Sequence, residues 1–220
     1  MTTIEVHEFR ATDVKLGQTV LVLGSLSQTH PAVHSLHQDL VDVDRWFVIG
    51  QTPSPYLKPS PKHMRREVTE LDEIMDTQLS QVTPKNAGLL LHLSRECIPT
   101  QKSLTRLLRD ARHMRLTVLM TSQSPMALTP CHRDQLDWVF TFLFPGENTM
   151  RQVYTRYMDL AKTYTHFRHV VDAICTPLTI LGMCNTLGGS YLWYKVRSLS
   201  TKIVVRKLER DATNPRPDTE

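Results

Sequence analysis

The run Thr19–Leu23 is apolar and strand-like and meets Gly24, and a helix-like segment follows from about Pro31. Strand, loop and helix in that order are the setting of the phosphate-cradling pattern G-x-x-x-x-G-K-S/T. Counted from Gly24, the second glycine position holds Thr29, the lysine position His30 and the hydroxyl position Pro31. Each change removes something physical. Thr29 adds a Cβ where a backbone would have to curl closely round a phosphate. His30 is shorter than lysine and mostly neutral at pH 7. Pro31 offers neither a hydroxyl for magnesium nor a backbone N–H. Gly24, Thr29, His30 and Pro31 are thus a degenerate phosphate loop, with a frame suited to nucleotide and residues unsuited to its hydrolysis. Taken alone, a strand, a polar loop and a proline-bearing helix are also ordinary α/β punctuation.

A second chemical position lies further on. A strand holding magnesium should end in carboxylates, but Gly88–Leu91 runs into His92 and Leu93. Imidazole and leucine cannot replace oxygen ligands on a hard cation, so this is read as a degenerate magnesium site. Glu96 follows closely and is a weak substitute candidate, since a loop glutamate is a surface residue far more often than a displaced catalytic one. A third run, from Arg112 through a strand to Gln123, puts a polar residue at a strand's C-terminal end. There it can sense a γ-phosphate or orient a water. Arg133 lies just before the next strand and could act in trans in a ring. The plain alternatives are a satisfied loop amide for Gln123 and a solvated charge for Arg133.

Arg106, Arg109, Arg112 and Arg115, with Lys102 upstream, form a basic segment that could meet DNA phosphates. A spacing of three winds them round a helix, so a solvated face is the simpler reading. His30, His34 and His37 have a spacing that can place imidazoles on one helix face. No cysteine or carboxylate supports a cage, so no metal site is expected. Tyr191, Trp193 and Tyr194 read as strand packing rather than as base-stacking platforms.

These positions need a scaffold. Thr19–Leu23, Trp46–Ile49, Leu89–Leu91, Leu116–Thr121 and Trp138–Phe144 are nearly continuous apolar runs, as parallel strands covered on both faces should be. Helical spacing appears over Val68–Ser80, Ser103–Arg112, Glu147–Thr163 and His166–Ile174. The alternation predicts a three-layer α/β domain with right-handed crossovers. Gln51–Lys62 holds four prolines and reads as an extended loop. Leu178–Met183 and Tyr191–Val196 flank Asn185–Gly189 as a C-terminal hairpin. One domain is expected over 1–206, with a disordered polar tail over 207–220.

The 220 residues are 40% hydrophobic and 22% charged, enough for a sizeable core. Net charge is +4, a mild basic bias compatible with nucleic acid. No apolar run approaches the roughly 20 residues a membrane-spanning helix needs. The opening MTTIEVHEFR has no apolar stretch of the secretory kind. Cys97, Cys131, Cys175 and Cys184 are widely spaced and read as reduced thiols of an intracellular protein.

Taken together, VHEFRATDVKLGQTVLVLG, PKNAGLLL, ARHMRLTVLMTSQSPMALTP, RDQLDWVFTF and LWYKV resemble the genome-packaging ATPases of large double-stranded DNA viruses. Those belong to the FtsK–HerA division of P-loop NTPases, and the resemblance runs from about Ile4 to Arg197. It implies a RecA-like P-loop NTPase fold with a mainly parallel sheet, ring assembly and ATP-driven movement of DNA into a capsid. It also implies that Gln123, Arg112 and Arg133 match retained sensor or arginine-finger positions, whereas His30, Pro31, His92 and Leu93 depart from the pattern. The expectation is a catalytically degenerate homologue acting in packaging or virion assembly. Its implied partners are copies of itself, an active packaging motor, double-stranded DNA and capsid components. No cofactor and no membrane are expected. The alternatives are an active translocating ATPase using ATP and magnesium through substitute residues, and a non-catalytic DNA-binding protein. The implied place is the infected cell, cytoplasm or nucleus, or the virion.

Overall fold

The computed structural model describes residues 5–40, 42–50, 63–94, 97–158, 161, 163–176, 179–187, 190–197 and 206–207. The proline-rich stretch 51–62, Glu96 and nearly all of the expected tail fall outside them. In chain order the strands are β1 (Glu5–Glu8), β2 (Thr19–Leu23), β3 (Arg45–Ile49), β4 (His63–Arg66), β5 (Ala87–Leu93), β6 (Leu116–Ser122), β7 (Trp138–Thr141), β8 (Thr179–Leu187), β9 (Ser190–Arg197) and β10 (Arg206–Lys207). The helices are α1 (Leu26–Asp39), α2 (Leu71–Leu79), α3 (Gln101–Asp110), the short α4 (Pro130–Arg133), α5 (Glu147–Tyr157) and α6 (Tyr164–Ile174).

All ten strands form one sheet, ordered β10-β1-β9-β8-β7-β2-β6-β5-β3-β4. From β7 to β4 every pairing is parallel. The hairpin β8–β9 continues the sheet antiparallel to β7. The mainly parallel sheet and C-terminal hairpin are those expected, with β1, β4 and the two-residue β10 as additions; β1 and β4 frame opposite parts of the sheet. Both are four residues long, too short for a periodic signal.

Side-chain alternation divides the core into two layers. Leu21 and Leu23 of β2, with Leu89, Leu91 and Leu93 of β5, pack with α2, α3, α5 and α6. Val20 and Val22, with Leu90 and Leu119, pack with α1 and the segment around Phe9. Phe9 meets the Trp138 and Phe140 rings edge-on at 5.2 and 5.0 Å and seals the second layer. Several boundaries moved: the strand expected to end at Met183 runs to Leu187 and takes in Asn185–Leu187 of the expected turn, and the strand expected to reach Phe144 ends at Thr141. The helix expected from Ser103 begins at Gln101, because Thr100 accepts the Ser103 amide at 3.1 Å and caps it. The helix expected to reach Thr163 stops at Tyr157.

Candidate functional site

In an open parallel sheet, ligands meet the carboxyl ends of the strands, where loops and helix starts converge. Here that edge is formed by the segments leaving β2, β3, β5, β6 and β7. The segment after β2 departs furthest from expectation. The helix does not wait for Pro31: α1 begins at Leu26, so Thr29, His30 and Pro31 lie inside it. The Gln28 and Thr29 amides both donate to the Ser25 carbonyl, at 3.0 and 2.9 Å. Amides turned into a helix are withdrawn from any phosphate nest. The residue before α1 is tied to its first turn. Gln28 Oε1 accepts from the Ser25 amide at 3.2 Å and from Ser25 Oγ at 2.9 Å. Gly24 retains a packing reason for its type, because a Cβ there would come within 2.9 Å of the Phe142 ring. Thr29 is buried in the α1 layer, and Pro31 deprives the Ser27 carbonyl of its helical donor.

The carboxylate positions at the end of β5 part company. Adjacent strand residues face opposite ways, so Leu93 belongs to the layer under α2 and α3 while His92 faces α1. There His92 Nδ1 is 2.6 Å from Thr121 Oγ1. The two residues are register partners on β5 and β6. The His30 ring from α1 stands 6.0 Å from the His92 ring, at 76° to it. Burial lowers the pKa of both rings, and for His92 the neighbouring His30 adds to the effect. The pair borders a cleft of about 50 Å³ with His34, Gly50 and Thr121 at its polar side and Val33, Val48, Leu90 and Leu119 below. That is room for a few waters.

Gln123 is exposed at the tip of the loop leaving β6. The loop beneath it is tied down. Ser122 Oγ donates to the Ser124 carbonyl at 3.0 Å, Ser124 Oγ accepts the Met126 amide at 3.2 Å, and Tyr157 Oη donates to the Pro125 carbonyl at 3.0 Å. Burial pushes the Tyr157 phenol up to about 12, so it stays a donor.

No protein-family model matches the chain. The uncharacterised protein L437 of Acanthamoeba polyphaga mimivirus is 29% identical over 87 residues, 37% of this chain and 30% of that relative. The match therefore spans under a third of that relative's length. Among solved structures, B204, the DNA-packaging ATPase of Sulfolobus turreted icosahedral virus, aligns over 82% of this chain and 98% of its own. Its TM-score is 0.55 and its identity 11%. ATPases 2 and 3 of EssC from Geobacillus thermodenitrificans align over 84% of this chain and 40% of that one, with TM-score 0.59 and 11% identity. The chain has the fold of the viral genome-packaging ATPases.

Within that RecA-like fold the arginines take ordinary intramolecular places. Arg112 lies at the opposite, amino-terminal edge of the parallel strands, paired with the buried Asp137. A five-residue strand separates that edge from the loop after β2, roughly 13 Å at about 3.3 Å per residue. Arg112 is therefore not brought to its own chain's carboxyl-terminal edge. Arg133 donates to the Leu128 carbonyl at 3.2 Å and lies over the Tyr157 ring at 5.7 Å. Arg106 bridges α3 to Asp76 of α2 at 2.5 Å, and Arg109 pairs with Asp110 at 2.8 Å. Arg115 is exposed in the turn before β6 with φ 49°. Glu96 lies outside the described residues. Sequence reasoning missed Thr121 and Tyr157. Thr121's role depends on strand register, and Tyr157's on how α5 packs, and neither leaves a local signal.

Proposed function

We propose that this protein is a catalytically degenerate counterpart of the viral genome-packaging ATPases. It serves DNA packaging or virion assembly by association with copies of itself, with an active motor or with DNA, rather than by hydrolysing ATP. The observation that carries this reading is the conversion of the phosphate loop into helix. In a packaging-ATPase fold, the segment that should wrap a phosphate is the first turns of α1, capped by its own Gln28. His92 in place of a carboxylate supports the same conclusion, because a neutral imidazole does not hold magnesium. B204 of Sulfolobus turreted icosahedral virus 2 has been solved in complex with ATP-gammaS. A nucleotide-bound protein of the same fold is thus the reference for this reading. Losing several charge-assisted contacts of roughly 1.5–3 kcal/mol each moves a micromolar affinity to millimolar or beyond.

The test is steady-state hydrolysis by purified protein, with and without duplex DNA, beside sedimentation alone and mixed with an active packaging motor from the same source. Turnover at the blank level together with co-sedimentation is expected. Saturable turnover lost in His30→Ala or Glu96→Ala would overturn the reading in favour of an active motor using substitute residues. A monomer that ignores the motor but binds duplex tightly, with a steep salt dependence, would favour a plain DNA-binding protein.

A further inference from the structure

The basic segment around α3 does not form one helix face. Arg106 is engaged with Asp76, Arg109 with Asp110 and Arg112 with Asp137. Arg115, the last of the four, is exposed and has no carboxylate partner among the described residues. Lys15 and Lys85 are exposed and unpaired in the same sense. We propose that Lys15, Arg115 and Lys85 form a row at the amino-terminal edge of the parallel strands that binds the phosphate backbone of duplex DNA. The inference rests on the DNA association offered above and gives it a surface, at the edge opposite the start of α1.

Three observations carry it. The first is placement. The three cations precede β2, β6 and β5, which lie side by side in the sheet. Ala87 and Leu116 are register partners, and the Ala87 amide donates to the Arg115 carbonyl at 3.1 Å. Lys85 and Arg115 therefore lead into adjacent strand starts. On the other side Gly17 packs against the turn before β6 so closely that a Cβ would lie 2.9 Å from the Arg112 Cα. That contact brings the segment holding Lys15 alongside. At about 4.8 Å between strands, the row from β2 to β5 spans roughly 10 Å. One strand of a duplex presents about three phosphates over that length.

The second is strain. Among the described residues Arg115 is the one non-glycine with positive φ, at 49°. It sits in the turn between α3 and β6, where glycine is the ordinary choice because it has no Cβ to clash. An arginine held there costs stability that glycine would not. No ion pair of its side chain offsets that cost within the described fold, so the fold does not account for the residue type. A phosphate partner does.

The third is charge balance. Asp110 and Asp137 are each matched by an arginine, Arg109 and Arg112. The other acids of this edge lie beyond the row at its two ends, Asp134 ahead of β7 and Asp42 and Asp44 ahead of β3. The row keeps its positive charge, and the end acids limit the contact to about three phosphates. Exposed Leu79 and Val82 stand only at the Lys85 end, so a lipid surface fits the row less well than a duplex does.

The experiment is fluorescence anisotropy of a labelled mixed-sequence duplex of about 20 base pairs, titrated with the full chain over a range of salt concentrations. The affinity should fall with salt on a log–log slope of about −2.7, as three contacts at roughly 0.9 each require. Arg115→Gly, Lys85→Gln and Lys15→Gln should each weaken binding severalfold and reduce the slope by about one. Arg115→Gly has a second readout. Its melting temperature should be unchanged or up to about 2 °C higher, because strain is relieved as binding is lost. Lys102→Gln removes the same charge from the start of α3, away from the row, and should change neither slope nor affinity. Phosphatidylserine vesicles and polyglutamate should bind more weakly than the duplex. Co-sedimentation with an active motor should be unchanged in all three row variants, which separates failure of this surface from failure of the packaging reading. Absence of duplex binding at low salt, wild-type slopes in the row variants, or an equal effect of Lys102→Gln would overturn the proposal. So would vesicles or polyglutamate bound as tightly through the same residues, or a clear loss of melting temperature in Arg115→Gly, since the arginine would then be structural.

Discussion

The two ends of the parallel strands are built on opposite principles. At the amino-terminal edge polar groups are interlocked. Asp137 Oδ2 accepts from the Thr19 amide at 2.7 Å and from Thr19 Oγ1 at 3.2 Å, while Oδ1 pairs with Arg112. Beside it Gln18 Oε1 accepts from the Lys15 amide and the Trp138 indole, at 2.8 and 3.0 Å. These contacts bind the starts of β2, β6 and β7 into one unit. At the carboxyl-terminal edge the same strands end in a self-capped helix, a histidine pair and an exposed glutamine. The difference teaches where each kind of residue change is tolerated. With the register held from the amino-terminal edge, residues at the carboxyl-terminal edge can differ in type without disturbing the sheet.

The largest effect expected from this contrast is at Asp137. Replacing it with alanine leaves the buried Thr19 amide unpaired, while the Thr19 hydroxyl keeps the Gln135 carbonyl at 2.9 Å, and should destabilise the fold by about 2 kcal/mol in chemical denaturation. Arg112→Ala should cost under about 1 kcal/mol, because its side chain is 63% exposed and solvent screens the pair. Equal losses for the two variants would break the comparison, since they would make the surface arginine as important as the buried carboxylate.

A smaller effect of opposite sign is expected at Pro31. Sequence reading places Pro31 at the start of a helix, where proline is favoured. In the folded chain it lies five residues after Leu26, inside α1. Pro31→Thr restores a donor to the Ser27 carbonyl and should stabilise the protein by roughly 1–3 kcal/mol. Adding Thr29→Gly and His30→Lys should still give no ATP turnover, because His92 cannot hold magnesium. A loss of stability for Pro31→Thr would show that the segment favours a loop, and turnover in the triple variant would show an intact second site.

The contrast also explains what could be read in advance. The sheet was legible because buried parallel strands such as β2, β5 and β6 are continuous apolar runs alternating with helices, but the order in which they lie side by side was not. The departures from the phosphate-loop and carboxylate patterns could be read because a missing lysine or carboxylate is a change of residue type. Their arrangement could not. That Thr29 and His30 belong to a helix depends on Ser25 and Gln28 forming a cap, a competition between loop and helix that residue types alone do not decide. That His92 and Leu93 serve opposite layers follows from strand alternation, but that His92 meets Thr121 and His30 requires the register of β5 on β6 and the placement of α1. Arg112 shows the limit most clearly. It matched a motif by sequence and lies at the wrong end of the sheet for its own chain's site.

The smallest effect is a pH dependence at the histidine pair. The pKa values of His30 and His92 are both lowered from 6.5, by burial first and, for His92, also by the neighbouring His30. In the unfolded chain each ring takes up a proton as the pH falls through about 6.5, while in the folded chain it stays neutral until a lower pH. Between those two values the unfolded state binds more protons, so stability rises with pH there. The contribution is complete above about 6.5 and is lost progressively as the pH falls towards the lowered folded values. His34 also lines the cleft. His30→Gln with His92→Gln should therefore flatten the slope of unfolding free energy between about pH 7 and 5 without abolishing it. A residual slope is expected from the buried His132, whose pKa is also lowered, mainly by burial. The measurement is urea unfolding at half-unit pH steps. A double variant with the wild-type slope would show that the pair is solvated at rest, and the carboxyl-terminal edge would then be more open than the amino-terminal one in charge as well as in bonding.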